Sequence, residues 1–304
     1  MNLTWLEDFL ALASSGNFSR AADERHMTQP AFSRRIKALE EWIGADLFNR
    51  STQPATLTDT GAWFETVAKD MLARAARIPG EAKAFNEASS KTLRIASTHA
   101  LSFTFMPSWL RGLESKMTIG QVQLVSDVLL RCEALLLASQ VQFLLTHAHS
   151  NVSNEIDKKG YPYAVVGKDL LVPVSAPNKD GSPQFTLDKA TAKNPIKLLS
   201  YSDESGIGRI VAEKHNSLTD TLPTQIVFTA HLASVLKTMA IEGRGIAWLP
   251  ETLIIDEIAN GKLVEAAPHN WCIDMELRLY RDNAPIGIAG ELFWKTVNAT
   301  PKKS

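Results

Sequence analysis

The chain of 304 residues predicts an α/β protein with an all-helical head, and three patterns carry that expectation. Short amphipathic helices joined by tight turns fill the first part of the chain. A seam of apolar residues at alternating spacings of four and three follows. Beyond it, short strand-like runs alternate with helical stretches, which predicts a largely parallel sheet.

In the head, Leu3, Leu6, Phe9, Leu10 and Ala13 recur at helical spacing, and Ser14-Ser15-Gly16-Asn17 is a stop signal; Trp5 belongs to the core or its boundary. Residues 19–25 read as a short helix whose Ala21 and Ala22 let a crossing helix approach closely. His26-Met27 leaves only a tight connection. Thr28 is placed to cap the next helix, and Pro30 fits its first turn because the amide it lacks would be unpaired there. From that start Phe32, Ile36 and Leu39 share one face, while Ser33, Arg34 and Lys37 fall on the other. The pair is a helix-turn-helix whose second helix is shaped to enter a DNA major groove. A core helix with a solvated basic face is the plainer alternative; the capping, the proline and the small-residue helix before it favour recognition.

Gln29 suits adenine, Arg34 guanine, and Pro30 a thymine methyl; with Ser33 these are the expected base contacts. Thr28, Lys37 and Arg50 are expected on phosphates, and Ser19 and Arg20 are counted with the DNA contacts. Gly44 ends the helix, and residues 45–58, with Pro54 among alternating apolar positions, read as a two-stranded wing with Arg50, Ser51 and Thr52 near its tip. A surface arginine without a partner is the other reading of Arg50.

The seam runs through Phe64, Ala68, Met71, Ala75, Ile78, Ala82 and Phe85, so its helix needs a partner helix and the chain is expected to dimerise. An ordinary buried helix is the alternative. Pro79-Gly80 lies inside the seam, and a proline costs roughly 3 kcal/mol in a helix interior, which predicts a kink or break near Ile78. Residues 86–91 are polar and read as a hinge.

In the body, Leu93 to Ser97 is a strand and Thr98-His99-Ala100-Leu101 opens a helix. Further strands are expected at 122–126, 142–146, 170–174, 197–200, 225–228 and 246–250, with a last one at 272–280. Ligands of such sheets collect at the carboxyl ends of strands beside helix starts, where free amides suit an anionic group such as a carboxylate. The candidate effector contacts are therefore Ser97, Thr98, His99, Ser102, Thr146, Tyr201, Ser202, Ser205, Thr229 and His231. Taken singly, each also reads as a helix cap or a solvated loop residue.

Composition bounds the rest. The formal net charge is −1, and residues 1–58 hold six Arg or Lys against seven Asp or Glu, so any DNA argument rests on where charges sit. Cys132 and Cys272, 140 positions apart, disfavour a zinc site or disulfide framework and fit a reducing cytoplasm. The start of the chain reads as a helix without an export segment, which disfavours transport-type solute binding, and no apolar run is long enough to span a membrane. His99, His147, His149 and His231 prompt a metal reading, but they come from separate elements without an acid cluster, so no metal and no cofactor is expected. An α/β enzyme is disfavoured because no Gly-x-Ser-x-Gly elbow, phosphate-cradling Gly-Lys-Ser/Thr loop or dinucleotide fingerprint is present.

Phe9-Leu10, Asn17-Phe18-Ser19-Arg20-Ala21-Ala22, Gln29-Pro30-Ala31-Phe32-Ser33, Leu39-Glu40, Gly44, Leu47-Phe48-Asn49-Arg50, Leu57-Thr58 and Gly61 form an ordered set that resembles the DNA-binding domain of LysR-type transcriptional regulators. The Gly243 to Pro250 run is similar to the second half of the family's effector domain. The resemblance implies a winged helix-turn-helix domain at 1–59, a linker helix at 60–89 that pairs with another subunit, and a two-subdomain, periplasmic-binding-protein-like effector domain at 90–304. Its subdomain I would take about 90–166 and 270–304, and subdomain II about 167–269. It also implies a cytoplasmic, non-enzymatic regulator, a homotetramer built as a dimer of dimers, with double-stranded promoter DNA and a small-molecule effector as partners. The runs 96–102 and 243–250 look most like the subgroup that includes hypochlorite-responsive regulators. An oxidant sensor needs reactive sulfur facing the cleft, and the positions expected there carry Ile207 and Leu232, while Met106, Met117, Met239 and Met275 read as core fillers. A small-molecule effector is thus favoured over an oxidation switch.

Overall fold

A computed structural model describes residues 2–51, 54–86, 92–189, 191, 193, 195–216 and 222–299. Thr52, most of the expected 86–91 hinge and the side chain of Phe85 lie outside the described set. The chain divides into two compact units, 1–79 and 80–304.

The first unit starts with α1 (Leu3–Ser15), capped by the Asn2 side chain and ended by Gly16 at φ 60°, a backbone state that favours glycine. In α2 (Phe18–Glu24), the Asn17 side chain accepts from the amides of Ser19 and Arg20. His26, at φ 52°, makes the sharp turn into α3 (Gln29–Ile43). Thr28 stands at the cap position in extended backbone, but its hydroxyl makes no capping bond, so it starts this helix through its main chain alone. Leu6, Phe9, Leu12, Ala21, Ala22, Phe32, Ile36 and Leu39 close into one core. The expected wing is present as β1 (Phe48–Asn49) paired antiparallel with β2 (Thr56–Leu57).

Helix α4 (Asp59–Asn86) runs through Pro79 without the expected break. A proline removes one N–H and leaves the carbonyl four residues back without its helical donor. Here Pro79 is exposed, where water can hydrate the freed carbonyl of Ala75, and the flanking turns continue. The seam is also not uniform. Phe64 and Ala68 are buried in the head's own core, whereas Met71 and Ile78 are exposed by 37% and 56%.

The second unit alternates strand and helix: β3 (Leu93–Thr98), α5 (His99–Thr104), α6 (Met106–Glu114), β4 (Val122–Asp127), α7 (Leu129–Leu137), β5 (Phe143–Ala148), α8 (Glu155–Lys158), β6 (Tyr163–Ser175), β7 (Ile196–Tyr201), α9 (Gly206–Asn216), β8 (Thr224–Ala230), α10 (Ala233–Ile241), β9 (Ala247–Pro250), α11 (Glu251–Ala259), β10 (Val264–Glu265), β11 (Ile273–Arg281) and α12 (Gly287–Ala299). Strand β3 pairs parallel with β4 and β5, and β7 with β8. The long strands β6 and β11 run antiparallel to each other from Ile273 opposite Leu171 to Tyr280 opposite Tyr163, so the large sheet is mixed.

These two strands serve two cores. Leu277 and Leu279 of β11, with Ala164 and Val166 of β6, pack with Leu93, Ile95, Phe143 and Phe293. Ile273 and Met275, with Leu171, Val172 and Val174, pack instead with Leu236, Ile246, Leu249 and Ile254. The chain therefore forms two subdomains joined by two crossing strands, and Asp169 opposite Met275 lies at the crossing. Among the described residues no helix is long and apolar enough to cross a membrane.

One buried carboxylate holds the wing to α3. Glu40 Oε1 accepts from the amides of Leu47 (3.0 Å) and Phe48 (3.3 Å), and Oε2 pairs with Arg50. Glu40→Ala leaves those amides without their acceptor and should destabilise the protein by about 1–3 kcal/mol; urea unfolding followed by far-UV dichroism reads this directly.

Candidate functional site

Two surfaces gather the expected functional residues. On the first, Thr28, Gln29, Pro30, Arg34 and Lys37 of the α3 segment are exposed and Ser33 is half-buried, opposite the buried Phe32, Ile36 and Leu39. Ser19 and Arg20 are exposed at the start of α2. Lys37 leans toward Glu41 at 3.8 Å. The helical period put Ser33, Arg34 and Lys37 on the face away from the core.

Other cations turn inward. Arg35 reaches Asp8 Oδ2 at 2.6 Å and Arg25 donates to Asp8 Oδ1 at 2.9 Å, and Arg25 also pairs with Glu7; Asp8 itself is fully buried. Arg50 is not the free surface arginine of the alternative reading. Its guanidinium pairs with Glu40 and lies 5.5 Å from the centroid of Phe18. These pairings join residues 10 to 27 positions apart, and nothing in the local pattern announces them.

The second surface lies between the two subdomains. A small cavity of about 40 Å³ is walled by Thr98, His99 and Ala100, by Asp127, Val128 and Leu129, by Ser205, Gly206 and Ile207, and by His231, Leu232 and Ala233, with Thr146 and His147 behind them. Each triplet is the start of a helix: α5, α7, α9 and α10. Four helix starts thus line one cavity, where the positive ends of their dipoles favour a negative charge. Thr98 Oγ1 and His147 Nδ1 are buried there without a hydrogen-bond partner. Asp127, the one carboxylate on the wall, directs an oxygen to the Val128 amide at 2.7 Å.

Thr98, His99, Thr146, Ser205 and His231 are therefore brought together. The other candidates are not. Ser97 is fully buried and bonded to its neighbour's carbonyl. Ser102 bonds to Ser126, as does His99, beside the cavity. Thr229 is exposed on β8 away from the wall. Tyr201 is buried, its hydroxyl donates to the Trp248 carbonyl at 2.9 Å across two strands, and desolvation pushes its pKa far up. Tyr201 and Ser202 face a different pocket within subdomain II. The side chain's direction at each strand end follows from tertiary packing.

His147 also lines the cavity, although of this strand end the candidate set kept only its neighbour Thr146. Its Nε2 stands 3.1 Å from Asp169 Oδ2, and Asp169 in turn accepts from the Thr252 hydroxyl (2.7 Å) and amide (3.2 Å) at the start of α11. Among the described residues no group of three or more metal-ligating side chains forms. Of the sulfur groups, Cys132 is buried, and desolvation raises its thiol pKa to about 12. No sulfur lines the cavity, where Ile207 and Leu232 stand.

Residues 3–62 match the bacterial regulatory helix-turn-helix protein, lysR family, and residues 86–297 match the LysR substrate binding domain. The chain belongs to the LysR family of transcriptional regulators. It is 31% identical to the HTH-type transcriptional regulator YjiE of Escherichia coli K12, over 96% of this chain and 92% of that one. Among solved structures it resembles Vibrio fischeri DarR in complex with DNA, at 26% identity and TM-score 0.57 over 99% of both chains. It also resembles HypT, a hypochlorite-specific LysR-type regulator of Salmonella typhimurium, at 29% identity and TM-score 0.58 over 97% of this chain and 96% of that one. The bromide-bound regulatory domain of HypT matches at 25% identity and TM-score 0.56, over 68% of this chain and 93% of that one. As a LysR-type protein the chain is a DNA-binding regulator with an effector domain, not an enzyme.

Burial alone would raise the pKa of Asp169, but the hydrogen bond and charge of His147 and the two bonds from Thr252 outweigh it, and the carboxyl is held below its ordinary 3.8. A lowered carboxyl stabilises the fold above its unfolded value and loses that contribution as pH falls through the folded one. Asp169→Asn should therefore destabilise the protein near neutrality, with the gap to wild type narrowing below about pH 3.8; denaturant titrations over a pH series measure it.

Proposed function

We propose that two copies of this LysR-type protein, paired through the exposed seam of α4 and assembled further into a tetramer, place two α3 helices in successive major grooves of promoter DNA. Gln29, Pro30, Ser33 and Arg34 meet base edges. Thr28, Lys37 and Arg50 meet phosphates, with Ser19 and Arg20 beside them, and Glu40 sets the direction of Arg50. The effector is an anion, held through a carboxylate or similarly small charged group, and it acts by favouring one arrangement of the subdomains over another.

The observation that carries the effector reading is the convergence of four helix starts on a cavity containing the unpartnered His147 Nδ1 and Thr98 Oγ1. With Nε2 turned to Asp169, Nδ1 is the ring nitrogen left for a partner at the cavity. A volume of about 40 Å³ holds a charged head group, and a larger effector must part the subdomains to enter. The bromide-bound regulatory domain of HypT supports an anion. The hypochlorite specificity of HypT favours a second reading, oxidant sensing, but the absence of sulfur from the cavity wall favours binding over oxidation.

At constant ionic strength, millimolar acetate or bromide should raise the melting temperature of the full-length protein and have little effect on His147→Ala; the absence of any shift in wild type would remove the anion reading. For DNA, Arg34→Ala should relax base preference at a cost of about 1–3 kcal/mol, whereas Lys37→Ala should weaken all sequences alike and reduce the salt dependence by about one ion. Equal losses on operator and random DNA for both variants would refute that division. Ile78→Glu on the exposed seam should shift sedimentation toward smaller species.

A further inference from the structure

The cleft cavity is built to favour a negative charge, yet no permanently cationic side chain stands in it. Among the described residues that line it none is Lys or Arg, and Asp127 is a carboxylate. A side chain that is to meet an anion there with a positive charge is therefore a histidine, His99, His147 or His231. The three differ in surroundings. His231 is exposed, and its ring centroid lies 6.5 Å from that of the half-buried His99, whose Nδ1 is 3.0 Å from the Ser126 hydroxyl. His147 is buried, with 2% of its side chain exposed, and its Nδ1 has no partner.

The partners of Asp169 decide which hydrogens His147 carries. Asp169 Oδ1 accepts from the amides of Leu170 (2.9 Å) and Thr252 (3.2 Å), and Oδ2 from the Thr252 hydroxyl (2.7 Å). The carboxyl is held below its ordinary range in spite of its burial, so near neutrality it is ionised and only accepts. His147 Nε2, 3.1 Å from Oδ2, must then carry a hydrogen. A neutral imidazole has one such hydrogen, which leaves a lone pair on Nδ1 facing the cavity, and a lone pair repels an anion. Only the ring with both hydrogens offers an anion a donor. The other charged groups around His147 are engaged elsewhere. Asp127 accepts from the Val128 amide, and on β11 Glu276 and Arg278, which flank the Leu277 opposite His147, pair with each other at 2.8 Å. Glu133 of α7, its carboxyl raised by burial, faces Arg209 of α9 at 4.0 Å, and Glu251 at the start of α11 is exposed. The Cys132 thiol, pushed up to about 12 by burial, stays protonated near neutrality.

We propose that the cleft takes its anion together with one proton, held on His147 Nδ1, so that the ligand class is a small monobasic weak acid bound as its anion against an imidazolium. This rests on the anion reading above and adds the proton to it. The balance is one anion and one proton taken up, the proton coming from the acid itself or from water, and the net charge of the site does not change. The Thr98 hydroxyl, also buried and unpartnered, donates to the same anion. Because the bound form carries the extra proton, affinity is full wherever the ring of the empty site already holds both hydrogens, and it falls as pH rises past that point. A dianion would need a second proton that this cavity has no second buried imidazole to hold. The site thus responds to the acid, the product of anion and proton concentrations, instead of to the anion alone.

Bromide carries no proton of its own near neutrality, so it isolates the protein's share. Calorimetric titration of the full-length protein with sodium bromide at constant ionic strength, from about pH 6 to about pH 9, gives the affinity across the histidine range. Repeating it in two buffers of different ionisation heat counts the protons. The expected result is an affinity that falls by about tenfold per pH unit toward the alkaline end, with close to one proton taken up per bromide there. His99→Gln and His231→Gln should keep that slope whatever they do to the affinity, and His147→Gln should bind bromide no better at the acid end than at the alkaline end. Melting curves of each variant at each pH show that it is folded. If bromide binds with an affinity constant within about twofold over the whole range, or without proton uptake, the proposal is overturned and the anion reading stands. If wild type binds no bromide at any pH, both fall. The proposal is equally overturned if the slope survives in His147→Gln, or if it is lost in His99→Gln or His231→Gln, which would put the proton on one of the more exposed rings.

Discussion

The effector half of this protein depends on one pairing, that of β6 with β11. Each strand gives its two ends to different cores, so the subdomains cannot separate without bending the same two-stranded ribbon. Asp169 is set in that ribbon, and its hydrogen bonds run to His147 on one side and to the first turn of α11 on the other. Under the proposed anion binding, a charge arriving at the cleft would meet an imidazole already tied to the crossing strands. His147 and Asp169 are buried and Thr252 is exposed, and this contiguous polar chain is the route by which the proposed ligand would bias the subdomain angle.

In the head the corresponding devices are two buried acids. Asp8 gathers Arg25 and Arg35, and Glu40 gathers Arg50 and the amides that open the wing. Removing Glu40 would leave the buried Leu47 and Phe48 amides without their acceptor, and removing Asp8 would take a partner from two half-buried guanidiniums. Gly61 belongs to the same arrangement: a Cβ there would stand 2.1 Å from the Leu47 carbonyl, so α4 begins pressed against the wing's first residues.

Much of the fold was legible because its signals are local. Phe32, Ile36 and Leu39 at helical spacing, the Gly44 stop, and the short runs at 93–97 and 246–250 each encode an element within a few residues. The length of β6 was not: 170–174 reads as a strand by composition, whereas the Gly167-Lys168-Asp169 portion is held extended by β11, more than a hundred positions away. The unbroken passage of α4 through Pro79 depends on solvent at that turn. The cleft was legible as a place, through strand ends and helix starts. Its membership was not, since whether Tyr201 reaches a ligand or Trp248 depends on which way a neighbouring strand packs.

The inward-turned arginines have a consequence for how this regulator searches a chromosome. With Arg25 and Arg35 half-buried against acids, the exposed cations of the proposed reading surface are chiefly Arg20, Arg34, Lys37 and the Glu40-paired Arg50. Attraction to arbitrary duplex grows with the number of phosphates neutralised, so each head by itself adheres weakly to the millions of decoy sites. In the assembly proposed above, residence at an operator would then depend on several heads engaging in phase, leaving the protein free to quit every place where only one of them fits.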